Sequence, residues 1–118
     1  MAGIQARSLD RLFHALSDPN RRGMVDQLAR GPASVKELAE PQALALPSAL
    51  KHLKVLEEGG LVRSQKSGRV RTYRLEAEAL QRVEAWVAAR KDALNHQFDR
   101  LEAYLAGAGA EAKEGGAE

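Results

Sequence analysis

The apolar positions of this chain fall into runs of helical spacing separated by proline, glycine and serine, and one stretch breaks the rule. Leu9, Leu12, Phe13 and Leu16 recur at i, i+3, i+4 and i+7, which predicts a first helix over 8–17 with Ser8 as its N-cap. Asp18-Pro19 restarts a helix over about 19–30 that buries Met24, Val25 and Leu28 and stops at Gly31-Pro32. Ser34 followed three residues on by Glu37 is a capping box. It opens a short third helix through Glu40, ended by Pro41. The fourth helix spans Leu46 to Glu58. At about 100° per residue, Leu46, Ala49, Leu53 and Leu56 share one stripe, and Pro47, Ser48, Lys51 and Lys54 share the other. Pro47 suits the first turn, where its missing N–H costs nothing, and Gly59-Gly60 supplies a left-handed stop.

The break in the pattern lies just beyond that stop. Leu61 and Val62, then Val70, Tyr73 and Leu75, give two short β-prone runs around a Ser-Gly turn, a hairpin over 61–75 whose tip reads Lys66, Ser67, Gly68, Arg69. Helical spacing then returns from 77 to 106. The apolar residues of this last helix, Leu80, Val83, Val87, Leu94, Phe98, Leu101 and Leu105, are interrupted near Arg90. At roughly 45 Å the helix is too long for one small core to cover. Its natural partner is a second copy, with Leu94, Phe98, Leu101 and Leu105 meeting their counterparts and Leu9, Leu12 and Phe13 of the first helix completing a dimer interface. The other reading folds it back on its own domain. Residues 107–118, small and acidic, are expected to be disordered. The predicted architecture is mainly α, a winged helix-turn-helix with a two-stranded hairpin wing and a long C-terminal dimerisation helix. One domain covers 1–106, and its third and fourth helices form the helix-turn-helix.

Charge turns this architecture toward nucleic acid. The net charge is only +2, but residues 1–75 carry 13 Lys and Arg against 7 Asp and Glu, while residues 76–118 carry 5 against 9. A basic front and an acidic rear give the two segments different partners. Arg63, Lys66, Arg69, Arg71 and Arg74 place five cations in the hairpin with no acid between them. Solubility alone does not require that, whereas a wing lying along a phosphate backbone does. A helix of the fourth helix's width fits the major groove, where Ser48 and Lys51 are the first choices to reach base edges or phosphates. Double-stranded DNA is therefore the expected partner.

Together, LFHALSDPNRRGMVDQLARGPASVKELAE, LPSALKHLKVLEEGGLV and SGRVRTYRL resemble the ArsR-type (arsenic-repressor-like) winged-helix transcriptional regulators over about residues 9–76, with a similar helical layout to residue 105. The resemblance implies a homodimeric bacterial repressor that binds operator DNA. By position it assigns Ser48, Lys51 and His52 to the recognition helix, with Pro47 and Lys54 beside them, and Lys66, Gly68, Arg69 and Arg71 to the wing. Arg21 and Arg22 match a pair that the family keeps at the start of its second helix. Two residues depart from the pattern. Ala45 stands where the family usually has a serine or threonine N-cap, a loss of about 1 kcal/mol. Leu50 stands where a second serine is common, placed either to touch a thymine methyl or to pack.

Other chemistries find little support. The chain has no cysteine, which excludes disulfides and thiolate metal sites and fits a reducing compartment. Asp92, His96 and Asp99 share a face at i, i+4, i+7, but one histidine with two carboxylates is a weak ligand set that a solvated face explains equally well. No metal or other cofactor is expected. His14 reads as a packed or capping histidine, and His52 has two readings, a phosphate contact or an internal hydrogen bond. No apolar run approaches a membrane span and no signal peptide opens the chain, so a cytoplasmic protein is expected. Nucleophile, base and orienting acid recur at no useful spacing, and no glycine-rich phosphate loop is present, so an enzyme is not expected. The rival reading is a winged-helix module that docks proteins, but protein interfaces are depleted in lysine.

Overall fold

The computed structural model describes the backbone of residues 2–117 and the side chains of residues 7–108. In chain order the elements are α1 (Ala2–Leu16), α2 (Pro19–Leu28), β1 (Ala33–Ser34), α3 (Val35–Ala39), α4 (Leu46–Glu58), β2 (Val62–Ser67), β3 (Val70–Leu75) and α5 (Ala77–Ala117). They fall into two units, Met1–Val83 and Glu84–Glu118.

In the first unit, α1, α2, α3 and β2 pack against α4. The apolar stripe of α4 inserts Ala49, Leu53 and Leu56 into a core shared with Leu12, Met24, Leu38 and Leu61. Each of these buried leucine side chains contributes about 2 kcal/mol. Local signals set the element ends. Asp18 caps α2 by accepting the Arg21 amide, and Ser34 and Glu37 close the capping box reciprocally at 3.3 and 2.9 Å. The Glu37 carboxyl is held below the usual range by the Ser34 amide first and the Ser34 hydroxyl second.

The end of α4 uses its two glycines differently. Gly60 adopts φ 75°, with its amide on the Glu57 carbonyl and the Leu61 amide on the Leu56 carbonyl. This is a Schellman stop whose apolar pair, Leu56 and Leu61, is fully buried. Gly59 serves the approach of α1, since a Cβ there would lie 3.0 Å from the Arg11 carbonyl oxygen. The stop of α3 follows the same design without glycine. Leu44 and Ala43 donate to the Ala39 and Glu40 carbonyls, and Ala43 takes the left-handed conformation at φ 54°.

Four expectations need correction. First, α1 begins at Ala2 rather than near Ser8, because Ala, Gln and Arg favour helix and nothing before Ser8 stops it. Ser8 is no N-cap; its hydroxyl accepts a hydrogen bond from Arg82. Second, the hairpin gains a third strand, β1, giving the antiparallel order β1-β3-β2 with Ala33 opposite Tyr73. Two residues between a helix stop and a capping box carry no legible period. Third, Leu12, expected at a dimer interface, is fully buried in its own core. The stripe that looked free in sequence is what α1 lays on α4. Fourth, α5 continues through the segment expected to be disordered as far as Ala117. Its alanines, glutamates and lysine propagate a helix already nucleated upstream, at about 1 kcal/mol per glycine crossed.

Replacing Gly60 by Ala is expected to lower stability by about 1 kcal/mol in urea unfolding, since the space beyond its Cβ is open and only the positive φ opposes it. Ala43→Gly should shift the midpoint the other way by a few tenths of a kcal/mol. Equal midpoints for the two variants would show that these stops do not control stability.

Candidate nucleic-acid interface

The wet face of α4 is set by what its dry face must do. With Ala49, Leu53 and Leu56 buried, Pro47, Ser48, Lys51 and Lys54 are all exposed. Ala45 makes no side-chain cap bond, so the first-turn amides of α4 are left to solvent or to an anion. No other side chain forms an ion pair with Lys51 or Lys54 among the described residues.

His52 points elsewhere. It is half-buried, with Nδ1 3.2 Å from an Arg21 guanidinium nitrogen and 3.8 Å from an Asp18 carboxylate oxygen. A guanidinium only donates, so Nδ1 accepts and the ring proton sits on Nε2. Of the two readings open in sequence, the internal hydrogen bond is the one formed. Arg21, 9% exposed, does more than hold the ring. Its Nε donates to the Ala15 carbonyl at 2.7 Å and its other terminal nitrogen to the His14 carbonyl at 3.0 Å. Arg22 donates to the Leu16 carbonyl at 2.8 Å. The Asp18-Pro19-Asn20-Arg21-Arg22 segment thus starts α2, caps the end of α1 and fixes the rotation of α4. Asp18 lies below the usual carboxylate range, chiefly because it accepts the Arg21 amide, with the Arg21 charge adding to this against its desolvation. The His14 side chain is exposed rather than packed. Its carbonyl is the part used.

In the hairpin, β2 and β3 pair from Val62 opposite Leu75 to Ser67 opposite Val70, leaving a two-residue tip. Gly68 sits first in that tip at φ 63° and Arg69 is not among the positive-φ residues, as in a type II′ turn. Side chains alternate across the sheet. Lys66 and Arg71, opposite each other, therefore share the face of the buried Val62 and Tyr73, whereas Arg63 and Arg74 point to the other face. The five hairpin cations are not equivalent. Arg63 is neutralised by Glu76 at 3.4 Å, and Arg71 is braced by the Ser64 hydroxyl at 2.8 Å. Lys66, Gly68, Arg69 and Arg71 are all exposed. Burial, followed by the Glu57 carboxylate, pushes the Tyr73 hydroxyl up.

In the second unit, Leu94, Phe98, Leu101 and Leu105 are 49–57% exposed along one side of α5. Of the first-helix residues expected at the same interface, Phe13 is exposed and Leu9 half-buried. His96 turns Nδ1 to the Asp92 carbonyl at 2.9 Å, on its own helix. The Arg90 guanidinium lies 4.4 Å over the Trp86 ring, which accounts for the gap in the apolar spacing there. No helix among the described residues is long and apolar enough to cross a membrane.

Residues 16–65 match the family model described as a helix-turn-helix domain. The chain is 42% identical over 74 residues to HTH-type transcriptional regulator Rv2034 of Mycobacterium tuberculosis, covering 63% of this chain and 69% of that protein. A crystal structure of an ArsR family transcriptional regulator superposes with TM-score 0.72 at 46% identity, over 76% of this chain and 93% of that one. A solution structure from Mycobacterium bovis gives TM-score 0.64 at 26% identity, over 77% of this chain and 86% of that one. It is described as a homodimeric winged helix-turn-helix DNA-binding domain of a possible ArsR-family regulator.

Two outcomes test the Arg21 cluster. Arg21→Met should cost about 3 kcal/mol in urea unfolding, because two α1 carbonyls lose charge-assisted bonds inside the fold; a loss below about 0.5 kcal/mol would show that they are satisfied otherwise. Asp18 has a lowered folded pKa, so its contribution is present above the unfolded value and is lost as pH falls through the folded one. Between pH 5 and 3 the wild type should therefore lose more stability than Asp18→Asn, and parallel acid limbs would refute the assignment.

Proposed function

The chain belongs to the ArsR family of winged helix-turn-helix transcriptional regulators, and on that premise we propose that it is a homodimeric repressor of a two-fold symmetric operator. One observation carries the reading: the exposed, unneutralised lysines of α4 and the cations of the β2–β3 tip occur together in one unit of the fold. The α4 helix of each protomer enters a major groove, and Ser48 and Lys51 reach base edges there. Pro47 sets the approach of the helix end, and Lys54 meets the phosphates bordering the groove. The wing lays Lys66, Arg69 and Arg71 along the backbone, with Gly68 making the tip narrow enough to do so. His52 acts from behind, holding the helix in rotation.

The apolar side of α5, with Leu94, Phe98, Leu101 and Leu105, pairs with the same side of a second copy, and Phe13 and Leu9 of α1 belong to the same interface. Two-fold pairing sets two recognition helices about one DNA turn apart. A dimer seated on a promoter excludes RNA polymerase without any further contact, which makes repression the direct outcome of binding.

The test is binding of the purified protein to its own upstream DNA against a scrambled duplex, titrated across salt. Selective binding whose logarithm falls steeply with log salt is expected; equal affinity for both duplexes would sink the operator reading. Lys51→Ala should cost about 1–3 kcal/mol and relax site choice. Arg69→Ala should weaken all sequences alike and reduce the salt slope by about 2 for a dimer that loses one contact per protomer. An unchanged slope would remove Arg69 from the backbone contacts.

A further inference from the structure

Two leucines stand on α4 where a solvated helix face calls for polar residues. Leu46 and Leu50 lie one turn apart, each 48% exposed, and neither belongs to the core or to the hydrophobic side chains packed against it. They form a continuous apolar strip along the leading half of the helix. Leu50 lies two turns before Glu57 on the same flank of α4. Lys51 is its neighbour on the wet face, and Lys54 follows one turn on.

The fold gains little from this strip. Half of each side chain remains in water, so about half of the benefit of burying a leucine is forgone. Lysine, glutamate or glutamine would serve α4 nearly as well in helix propensity. The strip also sits beside two lysines, the residue type in which protein interfaces are depleted. In a DNA complex, the leading residues of a recognition helix are those that reach the base edges. The apolar feature offered there by the four bases is the 5-methyl group of thymine.

We propose that Leu50, with Leu46 beside it, reads thymine 5-methyl groups on the floor of the major groove and is a specificity-determining residue of this protein. The proposal rests on the DNA-binding reading above. Each half-site then carries a thymine next to the base or phosphate met by Lys51, and site choice combines an apolar contact with a cationic one instead of a row of hydroxyls.

Deoxyuridine differs from thymidine by that methyl alone, which makes it the probe. Duplexes selected by the full-length protein from a random pool are rebuilt with one thymidine at a time replaced by deoxyuridine, and Kd is measured for wild type, Leu46→Ala and Leu50→Ala. Wild type should weaken about fourfold at one thymine in each half-site, and about fifteenfold when both are replaced. Leu50→Ala should bind the thymidine duplex less tightly and be indifferent to the replacement at those positions. Its urea midpoint should match that of the wild type, because the side chain is not part of the core. If wild type tolerates every replacement, or Leu50→Ala remains as sensitive as wild type, the proposal is overturned while the repressor reading stands. If selection recovers no preferred sequence, the DNA-binding reading fails first and the proposal falls with it. If Leu50→Ala binds the selected duplex as wild type does, the strip serves a protein partner instead and the proposal is wrong.

Discussion

The structure depends most on a cation with nowhere to go. Arg21 is almost wholly buried, and a guanidinium in that position is tolerable only if its donors are met. They are met by the last carbonyls of α1 and by the ring of His52 on α4. Two consecutive helices, and α4 through a residue 31 positions further on, are thereby tied to one planar group. Its fork geometry leaves little freedom in how they sit. Hydrophobic burial would hold α1, α2 and α4 together in several rotations, since leucines slide. The Arg21 fork selects one of them, and so decides which residues of α4 face outward.

The remainder of the first unit reads as support for that choice. Gly59 lets α1 come close to the end of α4, the Schellman stop turns the chain into β2, and β1 adds an edge that ties β3 back to the start of α3. The hairpin base is closed by the Glu76 amide on the Leu61 carbonyl and by the Arg63–Glu76 pair. Charge is withdrawn from the hairpin base in this way and left available at the tip. Helix rotation and wing charge are thus set by separate groups of residues.

What the sequence disclosed follows from which forces act locally. The period of α4, its stops and the capping box at Ser34 depend on residues within one or two turns, and the element bounds matched closely. Leu12 shows the limit of that reading. An apolar stripe reveals that a surface will be covered but not by what, and α4 rather than a second copy covers it. The strand β1 was illegible because two residues have no period and owe their conformation to Tyr73 and Thr72, about forty positions away. In the hairpin, the five cations were visible, but their division between two faces required the register, and the pairing of Arg63 required the position of Glu76. His52 was undecidable from its place on the helical wheel, since the deciding partner, Arg21, lies 31 residues earlier.

The two faces of α4 also have different fates under mutation. Ser48, Leu50 and Lys51 are exposed and lie outside the buried core, so under the proposed DNA-binding reading the bases the helix addresses can be rewritten there with the fold left intact. On that reading, a lineage carrying this scaffold would acquire new target genes by drift at three surface codons. The Arg21–His52 pair, in contrast, can only change in concert, and every new specificity inherits the same helix orientation.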